Sequence, residues 1–234
     1  MLRWSCGHRP LVIWISTRCS NMGSMGRRDQ RAANVAYYRR NRSMEVSRVR
    51  IRQQGTVEFL RELRQRPCAD CGRTFAPHQM DFDHRPGTVK RFPLTAGGAM
   101  LRPTSALLEE AAKCDVVCAN CHRIRTWQRH VARPTPLTGG SRYLDRKREY
   151  WRRQAKMLDR IRQVPCLDCG GRFPPCAMDF DHRGPSSKRS AVMRMIGRAG
   201  MARILDEVAA CDIVCANCHR LRTFRRRSTD TVRE

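Results

Sequence analysis

The sequence predicts an α+β protein in which one small domain occurs twice. A shift of 98 residues aligns CADCG with CLDCG and the two MDFDH segments with each other; after a one-residue deletion, a shift of 97 aligns CDVVCANCHRIRT with CDIVCANCHRLRT. Within each copy, helical apolar periodicity alternates with short runs typical of strands. We therefore predict repeat 1 at residues 27–132 and repeat 2 at 142–227, with a Pro- and Gly-rich linker at 133–141 and a tail at 228–234.

Each repeat is predicted to begin with a basic helix. The apolar stripe of this helix consists of Val57, Leu60 and Leu63 in repeat 1 and of Trp151, Met157, Leu158 and Ile161 in repeat 2. Arginines lie beside both stripes. They form either a solvated helix face or a surface that contacts phosphate, and the sequence leaves both interpretations open.

A Pro-Cys-x-x-Cys-Gly turn follows the helix and presents two thiols. The next segment, MDFDH, alternates apolar and acidic residues and predicts a half-buried strand, with Met80 and Phe82 toward the core and Asp81 and Asp83 away from it. A short helix, a second strand at DVV or DIV, and a final helix complete the repeat. The final helix begins at the second Cys pair and carries a histidine in its first turn.

The cysteines predict two structural zinc sites. Eight of the thirteen cysteines form four Cys-x-x-Cys pairs, which chelate metal more readily than they form disulfides between distant segments. We expect one Zn²⁺ per repeat, because repeats this small bury little apolar surface and gain from a metal. The predicted ligands are Cys68, Cys71, Cys118 and Cys121 in repeat 1, and Cys166, Cys169, Cys215 and Cys218 in repeat 2.

Cys-x-x-Cys-His is also the signature of c-type haem attachment. That interpretation is disfavoured, because it leaves the first Cys pair of each repeat unexplained and requires export. Cys114 and Cys211 precede the second pairs and are expected to be small buried residues. Cys176 aligns with His78, so this position cannot supply a ligand that both repeats need.

The net charge favours nucleic acid as a partner. The chain has 47 Lys and Arg against 21 Asp and Glu, a formal charge of +26. Such a surface attracts polyanions, and we expect DNA, with RNA as the alternative, rather than a membrane. Of the 47 cations 42 are arginine, which a GC-rich coding sequence would also produce, so the charge carries only part of the argument.

Residues 1–26 are predicted to be a leader that is either a mis-assigned start or disordered. Its apolar stretch, Leu11–Ile15, is far too short for a membrane span and short for a signal peptide. Together with unoxidised, metal-binding cysteines, this predicts a cytoplasmic protein.

Four of the seven histidines form two equivalent pairs, His84 with His122 and His182 with His219. A single histidine is most often a structural hydrogen-bonding group. Here an Asp-His and a Cys-His arrangement occur in both repeats, which favours a function. An imidazole can act as a general base near neutral pH, and a carboxylate with a second imidazole can hold a divalent cation.

The motif order C-x-x-C, DFDH and C-x-x-C-H resembles the HNH endonucleases whose ββα-metal motif is supported by a zinc knuckle. The resemblance covers Cys68–Thr126 and Cys166–Thr223, and leaves the basic helices and the linker uncovered. It implies that each repeat is a small zinc-stapled ββα-metal domain preceded by a basic helix.

The resemblance also implies roles for individual residues. His84 and His182 would be the general bases. The catalytic cation, Mg²⁺ or another divalent ion, would be held by Asp83 with His122 and by Asp181 with His219. The family's middle Asn is usually upstream of the second knuckle; here Asn120 and Asn217 lie within it and are the assigned candidates, with Asp115 and Asp212 as the others.

The leading hypothesis is therefore a metal-dependent DNA endonuclease that hydrolyses phosphodiester bonds at two tandem sites. Neither repeat lacks a candidate base, cation ligand or zinc thiolate, so one monomer could cut both strands. The alternative is a non-catalytic zinc protein that binds DNA or RNA. Charge and cysteines fit both hypotheses, and only the Asp-His and Cys-His pairs favour the enzyme.

Overall fold

The computed structural model describes residues 27–99, 102–132, 141–184 and 190–230. The predicted leader and residues 133–140 of the predicted linker lie outside these ranges. The chain divides into two compact units, Met1–Arg50 and Ile51–Glu234. The strands found in the described ranges and all four Cys-x-x-Cys pairs belong to the second unit, which therefore contains both candidate sites.

Repeat 1 has the predicted order of helix, Cys turn, strand, helix, strand and helix. Its elements are α1 (Arg27–Arg40), α2 (Arg42–Leu63), β1 (Met80–His84), α3 (Ala96–Ala99), α4 (Thr104–Ala111), β2 (Cys114–Cys118) and α5 (Ala119–Ala132).

Repeat 2 also begins with a leading helix and continues in the same order of Cys turn, strand, helix, strand and helix. Its elements are α6 (Arg142–Ile161), β3 (Met178–His182), α7 (Met201–Ala209), β4 (Cys211–Cys215) and α8 (Ala216–Asp230). The α+β class is therefore confirmed. Helix α8 extends into the segment expected to be a tail, and ends at Asp230.

Each repeat contains a two-stranded antiparallel sheet. In repeat 1, β1 pairs with β2 so that Met80 lies opposite Cys118 and His84 opposite Cys114. Strands β3 and β4 pair in the equivalent register. Because α5 follows β2 without a loop, its first turn lies beside β1, and this brings the second Cys pair and its histidine to the MDFDH strand.

The apolar stripes of the leading helices are buried only where they meet the sheet and the short helix. Leu60 is 1% exposed and packs with Leu107, and Leu158 is fully buried with Ile204. Farther from that contact, Val57 and Met157 are each 38% exposed. Cys114 and Cys211 lie in these same apolar clusters, as their spacing predicted.

The MDFDH strand is more deeply buried than its alternation suggested. Met80 is 2% exposed and packs with Cys68 and Cys118, as expected of a core residue. Asp83, predicted to point away from the core, is also only 3% exposed. Its carboxylate is covered by the guanidinium groups of Arg125 and Arg129 from α5, so the acidic face of the strand is a second, polar interior.

Within the described ranges, no helix combines the length and the apolar character that crossing a membrane requires.

Candidate metal centres

Each repeat brings its four predicted zinc ligands together. In both clusters the four Sγ atoms lie within 4.8 Å of one another. The clusters comprise Cys68, Cys71, Cys118 and Cys121, and Cys166, Cys169, Cys215 and Cys218. Four thiols gathered this closely fit the tetrahedral Cys₄ coordination of structural zinc. The protein therefore has two clusters that can hold such a metal.

The first Cys pair sits in a turn that requires glycine. Gly72 has a φ of 67°, in the left-handed region, and donates its backbone amide to the carbonyl of Cys68 at 2.9 Å. The backbone amide of Cys118 donates to Cys68 Sγ at 3.2 Å. Burial alone would raise the pKa of Cys68, but backbone amides, including those of Cys71 and Cys118, lower it to about 7. These backbone amides thus favour the thiolate of Cys68, the form that binds metal.

His84 is held by a buried carboxylate that the sequence did not reveal as a partner. Its Nε2 lies 2.8 Å from Oε1 of Glu110, a residue of α4 whose side chain is fully buried. Burial would raise the pKa of Glu110, but hydrogen bonds from Lys113 and His84 and from the backbone amide of Arg91 lower it to about 2. The glutamate therefore stays ionised and fixes the imidazole.

Repeat 2 reproduces this pair with small changes. His182 Nε2 lies 2.7 Å from Glu207 Oε1, and the backbone amide of Ser190 donates to the same oxygen at 3.1 Å. Glu110 and Glu207 align at the shift of 97 residues. A glutamate repeated on the apolar stripe of a short helix was thus the available signal for this partner.

The second histidine of each repeat lies between two aspartates of the neighbouring strand. His122 Nδ1 is 2.9 Å from Asp81 Oδ2, and its Nε2 is 3.7 Å from Asp83 Oδ1. A carboxylate on Nδ1 fixes the ring and leaves Nε2 as a ligand, an arrangement common at metal-binding histidines. The predicted cation ligands Asp83 and His122 therefore do come together.

The equivalent residues of repeat 2 are arranged in the same way. His219 Nδ1 is 2.8 Å from Asp179 Oδ2, and its Nε2 is 3.5 Å from Asp181 Oδ1. Both Nε2–Oδ1 separations are long for a hydrogen bond. An imidazole nitrogen and a carboxylate oxygen that face each other in this way are both of the kind that bind divalent cations.

The other oxygen of Asp83 belongs to an arginine network. Arg125 donates to Asp83 Oδ2 at 3.1 Å and also pairs with Asp70 and Asp115, while Arg129 pairs with the same Asp83 oxygen. Burial would raise the pKa of Asp83, but the hydrogen bonds from Arg129 and Arg125 lower it. Arg125 is thus shared among three carboxylates, and Asp83 stays ionised beside two guanidinium groups.

The first histidine of each repeat, His84 or His182, lines a cavity. In repeat 2 a cavity of ≈ 350 Å³ is lined by Asp181, His182, His219 and Arg226, among others. In repeat 1 a cavity of ≈ 460 Å³ is lined by His84 and its neighbours and by Arg129. The predicted base and cation ligands of repeat 2 thus face one shared space, with an arginine at its edge.

The two asparagines lie elsewhere. The backbone amide of Asn120 donates to Asn217 Oδ1 at 3.3 Å, and that of Asn217 donates to Asn120 Oδ1 at 3.0 Å. Both residues are buried where repeat 1 meets repeat 2, beside the tetracysteine clusters. Their arrangement favours a structural role, whereas Asp115 and Asp212 each join an arginine network close to the candidate site.

Comparisons with known proteins add no identification: no family model, no curated protein and no solved structure matches this chain.

Proposed function

We propose that this protein is a metal-dependent DNA endonuclease of the HNH type, with one ββα-metal site in each repeat. The observation that carries the proposal is the histidine arrangement, repeated twice. In each repeat, one histidine is fixed by a buried glutamate. The other is held by one aspartate at Nδ1 and faces a second aspartate with Nε2. A protein that only binds nucleic acid needs neither feature.

His84 would act as the general base. With its Nε2–H donated to Glu110, its Nδ1 is left to take a proton from an attacking water. The negative charge of Glu110 stabilises the imidazolium that then forms. His182 and Glu207 would do the same in repeat 2.

Asp83 and His122 would hold the divalent cation in repeat 1, and Asp181 and His219 in repeat 2. A divalent cation bound there would supply Lewis-acid stabilisation of the scissile phosphate and the leaving oxygen. Imidazole with carboxylate accepts several such ions, including Mg²⁺ and Mn²⁺. Arg129 and Arg226, at the cavity edges, offer guanidinium groups for the neighbouring phosphate.

DNA is the proposed substrate because of the charge of the chain. A formal +26 supports sequence-independent contact with the phosphate backbone. Arg225, exposed on α8, belongs to the run Arg225–Arg227 that would supply part of this contact, with the leading helices supplying more.

The test is cleavage of supercoiled plasmid with Mg²⁺ or Mn²⁺ and with EDTA. We expect metal-dependent linearisation, and we expect His84→Ala or His182→Ala alone to leave mainly nicked product. The double variant should lose about 10²–10⁴-fold in rate, the usual contribution of a general base. His130→Ala is the matched control, because His130 is an exposed histidine of α5. Cleavage that persists in the double variant would refute the assignment.

A second function has one observation in its favour. Arg125 and Arg129 both pair with Asp83, and Arg222 and Arg226 both pair with Asp181, as in ion-pair networks that need no catalytic cation. On this interpretation the protein is a non-catalytic zinc module that binds DNA or RNA. Tight, salt-sensitive DNA binding with no cleavage in any divalent metal would establish it.

A further inference from the structure

The two repeats contact each other through equivalent surfaces. Helix α5 of repeat 1 packs against the 3₁₀ turn Pro175–Ala177 of repeat 2, and α8 of repeat 2 packs against the 3₁₀ turn Pro77–Gln79 of repeat 1. The reciprocal hydrogen bonds of Asn120 and Asn217 lie at the centre of this contact. The arrangement is that of a two-fold symmetric dimer made within one chain.

This contact places an arginine of each repeat in the candidate site of the other. Arg220, from repeat 2, donates to both carboxylate oxygens of Asp81 in repeat 1, at 2.9 Å and 2.7 Å. Arg123, from repeat 1, donates to Asp179 in repeat 2 at 2.5 Å. Asp81 and Asp179 are the carboxylates that hold His122 and His219.

We propose that Arg220 and Arg123 are positioning residues that act in trans, each completing the histidine-aspartate site of the opposite repeat. The inference rests on the proposed function for its activity readout. Neither arginine contacts the predicted base or the cation ligands in the described structure; each acts through the aspartate that orients the histidine.

The physical reason is the geometry of Asp81. Its side chain is 21% exposed and has two strong partners, His122 from its own repeat and Arg220 from the other. The two-pronged contact from Arg220 fixes the plane of the carboxylate, which in turn fixes the ring of His122 with its proton on Nδ1 and its Nε2 toward Asp83. Without this contact, the Asp81 carboxylate could rotate or pair with another cation. The ring of His122 would then no longer be held in one orientation.

The simpler explanation is that these are ion pairs that only hold the repeats together. The two explanations differ in which site responds. A residue that merely stabilises the contact affects both sites alike when it is removed. A positioning residue in trans affects the opposite repeat far more than its own.

The activity experiment uses two single-site backgrounds, His182→Ala, which leaves repeat 1, and His84→Ala, which leaves repeat 2. Arg220→Ala should lower metal-dependent nicking about 10-fold in the repeat 1 background, the lower end of the cost of losing the carboxylate that orients a metal-binding histidine, because Arg220 acts on His122 through Asp81. The loss should be several-fold smaller in the repeat 2 background. Arg123→Ala should show the opposite preference.

Two further variants guard against misfolding and general charge effects. Arg220→Lys keeps the charge without the two-pronged contact, and should recover part of the activity lost in Arg220→Ala. Arg203→Ala, an exposed arginine of α7, should leave nicking unchanged in both backgrounds. Equal losses from Arg220→Ala in both backgrounds would overturn the inference.

A second readout does not depend on activity. Histidine side-chain ¹⁵N–¹H correlation spectra report which ring nitrogen carries the proton. Arg220→Ala should shift the His122 signals and leave those of His219 in place, and Arg123→Ala should do the reverse. If the wild-type protein cleaves no DNA, the proposed function fails, and these spectra still decide the inference: shifts of both histidines in either variant, or of neither, would refute it.

Discussion

The two repeats agree closely at their candidate sites and differ around them. The three contacts that define each site, from the first histidine to glutamate and from the second histidine to its two aspartates, differ between repeats by no more than 0.2 Å. The tetracysteine clusters share the same burial pattern as well.

The surroundings of the sites are less alike. In repeat 2, Gln154 of the leading helix binds the backbone amide of Gly197 and the carbonyl of Ala199, and the aligned residue of repeat 1 is Thr56. His78 of repeat 1 stacks on Phe224, whereas Cys176 occupies the equivalent place in repeat 2. The packing around the sites therefore differs between the repeats, whereas the tetracysteine clusters and the histidine contacts do not. A chemical function shared by both repeats would require this pattern.

Disruption of one tetracysteine cluster should have the largest effect. Cys118→Ser or Cys215→Ser removes a buried ligand, and the apparent free energy of structural zinc binding is roughly 10–16 kcal/mol. Each variant should hold one zinc instead of two by elemental analysis, and should lose the folding of its own repeat by circular dichroism. Cys176→Ser, outside both clusters, should keep both metals. Unchanged zinc content in Cys118→Ser would exclude the cluster as a metal site.

Replacing the buried glutamate comes next. Glu110→Gln takes the ionised carboxylate away from His84 and Lys113, whose side chains are 17% and 28% exposed, so we expect a cost of about 3 kcal/mol, the lower end for a buried ion pair. Its neighbour Glu109 is the matched control: it forms an exposed pair with Arg91, so Glu109→Gln should cost at most about 1 kcal/mol. Urea unfolding of the zinc-loaded protein measures both. Similar losses for the two variants would show that Glu110 has no special part in the interior.

The apolar clusters offer a test of how alike the repeats are. Leu60 and Leu158 are equally buried beside their sheets, so Leu60→Ala and Leu158→Ala should each lower the free energy of unfolding by about 2–5 kcal/mol. Val57→Ala, at a half-exposed position of the same stripe, should cost less. If urea unfolding showed a lower free energy of unfolding for only one of the two leucine variants, the two repeats would differ in stability.

Features that depend only on neighbouring residues could be predicted from the sequence. The Cys-x-x-Cys-Gly turns and the alternation of MDFDH depend on neighbouring residues. Both tetracysteine clusters and the order of elements could be predicted from them. Glu110 lies 26 residues from the histidine it binds, and Arg220 lies 139 residues from Asp81. Such contacts depend on how the helices and the repeats pack, which no local pattern specifies. The sign of these contacts in the sequence was that Glu110 and Arg220 have identical counterparts in the other repeat.

The smallest predicted effect concerns an aromatic contact that breaks the symmetry between the repeats. The rings of His78 and Phe224 stack with centroids 4.2 Å apart and planes inclined by 3°. His78→Ala should therefore cost roughly 0.5–1.5 kcal/mol, the usual value of such a pair. Cys176→Ala, the equivalent change in repeat 2, should cost less, because no ring is lost there.

Thermal unfolding of the zinc-loaded protein compares these two variants, and adding Phe224→Ala to each completes the test. The loss from His78→Ala should nearly vanish in the Phe224→Ala background, because the partner ring is already gone. The loss from Cys176→Ala should be the same in both backgrounds. A full, additive loss from His78→Ala would show that the imidazole contributes to stability through something other than its stack on Phe224.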